Sequence, residues 1–132
     1  MIYGVGTDIL TNNRMNDYER CSRLANKILT ETELEIFQSL NKSQALKYLT
    51  KQFTCKEAIS KAFGTGIRYD VVMSNMEISR DILGKPVLKP LGNLVSLMKN
   101  MGITASHCSI SDTNEHTIAV CVLEKGWQIP KL

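Results

Sequence analysis

The chain has 132 residues, 43% of them hydrophobic and 22% charged, the balance of an ordinary water-soluble globular protein with one core. Its net charge of +3 suits an acidic or phosphate-bearing partner and is too weak to point to nucleic acid. No apolar run reaches membrane-spanning length and no basic segment precedes an apolar one at the start, so neither a membrane span nor a signal peptide is expected.

Residues 2–9 read as a strand, with Gly4 and Gly6 inside it marking a close approach by another backbone or a ligand. Asp8 falls at its end. Thr11, Asn12 and Asn13 carry helix-start signals, and the pattern predicts a first helix from Asn13 to about Ile28. Thr30 followed by Glu33 spells a capping box, which predicts a second helix over 31–40. After a break at 41–43, a longer helix is expected from Gln44 to Phe63, with Leu49, Phe53, Ala58, Ile59, Ala62 and Phe63 as its apolar side and Lys56, Glu57, Ser60 and Lys61 sharing the polar one. Residues 71–80 are strand-like, 81–85 a turn, and 86–88 a short return strand. A helix follows from Pro90, near its first position, to about Asn100, ended by Gly102. Two strands, 104–111 and 116–124, flank a polar loop as a hairpin, and 127–132 reads as a loose tail. The order of elements predicts an α+β fold with an antiparallel sheet, in a single domain over 1–132.

Cys21, Cys55, Cys108 and Cys121 form no CxxC pair, which speaks against zinc and for buried free thiols in a reducing cytoplasm. Glu57 and Lys61 stand four apart on a helix, a spacing that fits a surface ion pair. Asp8 fits a cap residue. If Asp8 and Glu57 converge, the two carboxylates make a magnesium site completed by water and substrate phosphates. The Gly64-Thr65-Gly66 turn fits a helix C-cap, or a nest of backbone N–H groups around a phosphate. His107, Ser109 and Ser111 share one face of a strand, which is either solvated or aimed at a phosphate or an adenine edge. A Ser109–His107–Asp112 triad can be assembled on paper, but no GxSxG elbow supports it. Arg20, Arg23 and Lys27 lie on one helix face with Arg14 a little behind, a basic stripe that is either solvated or docks an acidic protein.

Four stretches together resemble one family. Ile2-Tyr3-Gly4-Val5-Gly6-Thr7-Asp8-Ile9 is similar to the opening G-x-G-x-D-[IL] of the holo-[acyl-carrier-protein] synthases. Residues 53–66, FTCKEAISKAFGTG, resemble their F-x-x-K-E-[AS]-x-x-K-A-x-G-T-G signature, Gly84-Lys85-Pro86 their GKP turn, and His107-Cys108-Ser109-Ile110-Ser111 their late H-x-S-[IL]-[ST] strand. The resemblance implies a 4'-phosphopantetheinyl transferase that moves the phosphopantetheine arm of coenzyme A onto a serine of apo acyl carrier protein with magnesium, in fatty acid biosynthesis. It implies metal binding by Asp8 and Glu57, with Glu57 also the candidate base. It implies phosphate contact by Lys61 beside Gly64, Thr65 and Gly66. Pro86 falls at the adenosine end and His107 near the nucleotide phosphates. Carrier docking falls on Arg14, with Arg20, Arg23 and Lys27 as helpers, and chains of this length are expected to form homotrimers with the active site between subunits. Asp112 departs from the histidine common there, and the segment 126–132 has no counterpart.

Overall fold

The computed structural model describes residues 1–126, so the tail expected over 127–132 lies outside the described residues. The chain opens on strand β1 (Ile2–Thr11), passes a 3-10 turn (Asn12–Met15) and forms helices α1 (Tyr18–Ile28), α2 (Glu31–Ser39) and α3 (Lys42–Ala62). A second 3-10 turn (Met73–Asn75) leads into β2 (Met76–Arg80), β3 (Pro86–Pro90), α4 (Asn93–Asn100), β4 (Ile103–Asp112) and β5 (His116–Lys125). β1, β5 and β4 form an antiparallel sheet in that order, and β2 and β3 a separate antiparallel ribbon. The expected α+β class, the antiparallel pairing and the terminal hairpin are all present.

Side-chain caps set most helix starts. The Thr30–Glu33 capping box is formed in both directions. Asn41 caps α3 by accepting from the Gln44 N–H, so that helix begins within the expected break, at Lys42. The first predicted helix is divided. Asp17 accepts from the N–H groups of Glu19 and Arg20 and starts α1 at Tyr18, leaving residues 12–15 as a separate 3-10 turn. The strand expected over 71–80 is real only from Met76, because Val71 is tied back to Arg68 by paired backbone hydrogen bonds and residues 73–75 coil. Pro90 ends β3 rather than starting a helix. Leu91 N–H donates to the Asn75 carbonyl, Gly92 turns the chain at φ 56°, and α4 begins at Asn93.

α3 lies between two apolar clusters. Ala58, Ile59, Ala62 and Phe63 pack with Ala119, Cys121 and Leu123 of the sheet and with Met76, Ile78 and Leu94. Its first half, through Ala45 and Leu49, packs with Ala25, Ile28 and Phe37 of α1 and α2. Packing on both sides removes the single polar side expected for α3: Lys56 and Ser60 are buried, and only Glu57 and Lys61 retain access to solvent.

The closest approach of sheet and helix is made by two glycines. A Cβ on Gly4 would stand 2.0 Å from the Ala62 carbonyl oxygen, and one on Gly6 1.9 Å from that of Ala58. β1 therefore lies directly against the α3 backbone, as its glycines predicted, and the side chain two residues beyond Gly6 on the same face is Asp8.

Candidate active site

The β1–α3 contact carries Asp8 to the last two turns of α3. Lys61 Nζ lies 2.9 Å from Asp8 Oδ1, with Asp8 largely covered and Lys61 half-exposed. The lysine thus bridges to β1 instead of forming the helical pair with Glu57. Glu57 feels the same neighbours. Its pKa is raised, first by burial and second by the negative charge of Asp8, with Lys61 pulling the other way. Two carboxylates and one ammonium therefore meet where β1 packs on the end of α3.

This donor set fits magnesium. The ligands are oxygens, and the mutual repulsion of Asp8 and Glu57 is the kind of cost a bound dication relieves. Among the described residues no cluster of three or more His, Cys, Asp or Glu side chains could hold a metal. A cation here would rely on water and phosphate oxygens for its other positions, which is how magnesium is usually held.

The Gly64-Thr65-Gly66 turn sits just past the end of α3. The Gly64 N–H donates to the Lys61 carbonyl and the Gly66 N–H to that of Ser60, with φ of 82° and 66°. This is the C-cap geometry, and both glycines place nothing within 4 Å of a would-be Cβ, so the turn borders open space. Pro86 is buried at the start of β3, and the preceding Asp81–Lys85 loop is fixed by Asp81 Oδ1, which accepts from Leu83 and Lys85 N–H.

His107 does not join these residues within the chain. It faces Val122 and Val5 across the sheet register, whereas Asp8 pairs with Ala119 on the helix-covered face. On the outer face His107 Nε2 contacts Glu124 Oε1. The signal for Glu124 was the hairpin register, which the motif alone does not fix. Asp112 lies on the opposite face from His107 and pairs with Lys51 of α3 at 3.7 Å, so the Ser109–His107–Asp112 triad is not assembled.

The four basic residues do converge. Arg14, Arg20, Arg23 and Lys27 rim a groove of about 460 Å³ whose floor is Leu10, Met15, Cys21, Leu24 and Phe53. Arg20 also donates to the Arg14 carbonyl, joining the 3-10 turn to α1. The apolar floor was not singled out in the sequence, since its residues come from β1, the turn, α1 and α3.

A family model described as the 4'-phosphopantetheinyl transferase superfamily matches residues 4–121. The chain belongs to this superfamily. A holo-[acyl-carrier-protein] synthase of Nitrosospira multiformis is 41% identical over 128 residues, covering 95% of this chain and all of the relative. The crystal structure of the corresponding synthase from Neisseria meningitidis superposes with a TM-score of 0.85 at 38% identity, over 95% of this chain and 100% of that one. A Bacillus anthracis holo-(acyl-carrier-protein) synthase in complex with CoA (3',5'-ADP) gives a TM-score of 0.79 at 33% identity, over 96% and 99% of the two chains. The transferase therefore has the enzymatic character and the fold that the four motifs implied, and its relatives are holo-[acyl-carrier-protein] synthases along their whole length.

Proposed function

We propose that this transferase moves 4'-phosphopantetheine from coenzyme A to a serine of apo acyl carrier protein, with adenosine 3',5'-bisphosphate as the second product, in the cytoplasm and in support of fatty acid biosynthesis. The observation that carries the reading is the junction of Asp8, Glu57 and Lys61 where β1 meets the end of α3. Phosphoryl transfer needs positioning and charge neutralisation more than covalent help, and this junction offers both. Asp8 and Glu57 would hold Mg2+, which when bound would supply charge neutralisation on the diphosphate oxygens. Lys61, half-exposed, binds the same diphosphate as a point charge and keeps Asp8 oriented. Glu57, directly or through a water, takes the proton of the carrier serine. Thr65, Gly64 and Gly66 border the phosphates in the open space past the helix, and Pro86 the adenosine end.

The rim of Arg14, Arg20, Arg23 and Lys27 around an apolar floor is suited to an acidic helical partner, because rim charges steer association and the floor adds buried contact. The oligomer is proposed as a homotrimer. Its support is the outer sheet face, where Val5, Ile9 and Ile118 are 56%, 64% and 42% exposed. His107 stands on that same face, so it reaches an Asp8–Glu57 pair only from a neighbouring copy.

The test is intact-mass analysis of apo acyl carrier protein incubated with the enzyme, coenzyme A and Mg2+. A gain of one phosphopantetheine, abolished by EDTA, is expected. No gain with several carrier proteins would leave a non-catalytic binding module instead.

A further inference from the structure

The signature lysine next to Glu57 points away from the Asp8–Glu57–Lys61 junction, into the interior. Lys56 is 0% exposed. An ammonium has three N–H donors and no acceptor. Here all three are used: Nζ lies 2.8 Å from the Ile28 carbonyl, 3.0 Å from the Met73 carbonyl, and within hydrogen-bond distance of Glu33 Oε1. No donor remains for a phosphate.

Glu33 is equally saturated. Its Oε1 also accepts from the Thr30 N–H, and its Oε2 from Gln52 Nε2 and the Ile78 N–H. Four donors occupy the roughly four lone-pair positions of a carboxylate. The pair is buried to 0% and 1% side-chain exposure. Such a pair contributes little net stability against an apolar replacement, while removing one partner strands a buried charge. What it does fix is geometry, because each bond points to a different element. Ile28 is the last residue of α1, Glu33 lies in the first turn of α2, Met73 opens the turn before β2, and Ile78 is in β2. Lys56, the position of α3 preceding Glu57, holds the first three directly and Ile78 through Glu33.

We infer that Lys56 is a positioning residue that locks the C-terminal end of the basic helix α1 to the catalytic turn of α3, so that a carrier protein seated on the groove presents its serine to Glu57. This rests on the proposed transfer reaction and on α1 as the docking helix. The carrier is affected most, because the Ile28 bond reaches the docking helix directly, whereas the proposed coenzyme contacts on α3 and the turn after it take no bond from Lys56 and Pro86 of β3 is linked to it only through the pairing of β3 with β2.

The experiment compares steady-state kinetics of three variants with the wild type, at a temperature where circular dichroism shows each folded. Lys56→Met with Glu33→Gln removes both buried charges together. Its kcat/KM for carrier protein is expected to fall at least about tenfold, a modest loss beside the roughly 10²-fold that a 1 Å misplacement can cause, with the KM for coenzyme A within twofold of wild type. Gln52→Leu, which loses bonds to Glu33 and Ile78 but none to α1, is the control and keeps carrier kcat/KM near wild type. Lys56→Met alone is expected to show the lowest melting temperature. A double variant with wild-type carrier kinetics overturns the inference, as does a Gln52→Leu variant that loses carrier kcat/KM to the same degree. If the Lys56 variants do not fold, hydrogen exchange of the wild type decides. The lock requires amides of the last turn of α1 to open together with those of α3, and independent, much easier opening of α1 overturns it. A wild type without transfer activity would instead strike the proposed reaction.

Discussion

Glu57 carries the sharpest consequences at the scale of single residues. Its pKa is raised in the folded protein by burial and by Asp8. The folded value thus lies above the unfolded one, and the folded state holds the proton more tightly. Stability is fullest below the unfolded pKa and falls as pH rises through the folded one. Glu57→Gln is therefore expected to melt above the wild type at neutral pH without metal, with the difference vanishing toward acid. Calorimetry across pH checks this, and an equal or lower melting temperature at neutral pH contradicts it. Millimolar Mg2+ should raise the melting temperature of the wild type and leave Glu57→Gln unmoved, since a ligand stabilises only a state that binds it. The chemical type of these residues was legible in the motifs. Their meeting was not, because Asp8 and Lys61 are 53 positions apart and only the β1–α3 packing joins them. Lys56 was misplaced for a related reason: its polarity assigns it to a solvated side, and its three acceptors lie in distant segments.

Elements were legible wherever a local signal dictated them. The Thr30 capping box and the glycines of β1 are such signals, each tied to a local backbone need. The division of the first helix turned on Asp17, whose capping competes with an otherwise continuous helical pattern. Asp17→Ala should cost about 0.5–2 kcal/mol, the usual loss for an N-cap, read as a shift in the urea midpoint at constant slope. Gly6→Ala is expected to be worse. Its Cβ would fall 1.9 Å from the Ala58 carbonyl oxygen and 2.5 Å from the Ala62 nitrogen, both backbone atoms that cannot rotate away. Overpacking costs roughly 1–3 kcal/mol and occasionally more, and here the forced separation of β1 from α3 also withdraws Asp8 from Glu57. Transfer activity per folded molecule should fall along with stability. A Gly6→Ala enzyme of wild-type activity would show that the close approach does not set the site.

At the scale of the whole molecule, the described residues leave one sheet face uncovered. Val5, Ile9 and Ile118 stand exposed there beside His107 and Glu124, while the other face is sealed by α3. Contiguous exposed apolar residues on one face mark an association surface. Ile9→Glu is expected to yield monomers by light scattering and to lose transfer activity, while an unchanged trimer would place the interface elsewhere. If His107 serves the pocket of a neighbouring copy, mixed assemblies of Glu57→Gln and His107→Ala chains should regain activity that neither variant has alone. The homotrimer is an expectation from family resemblance alone, since alternation in β1 does not say which face remains bare. The assignment of the carboxylate site is tested most directly by the rate of phosphopantetheine transfer, followed by intact mass, for Asp8→Asn, Glu57→Gln and Ser109→Ala side by side. Losses of about 10²-fold or more are expected for the two carboxylate variants, within the roughly 10²–10⁴-fold range of acid–base catalysis, with Ser109→Ala close to wild type. Full magnesium-dependent transfer by both carboxylate variants would contradict it.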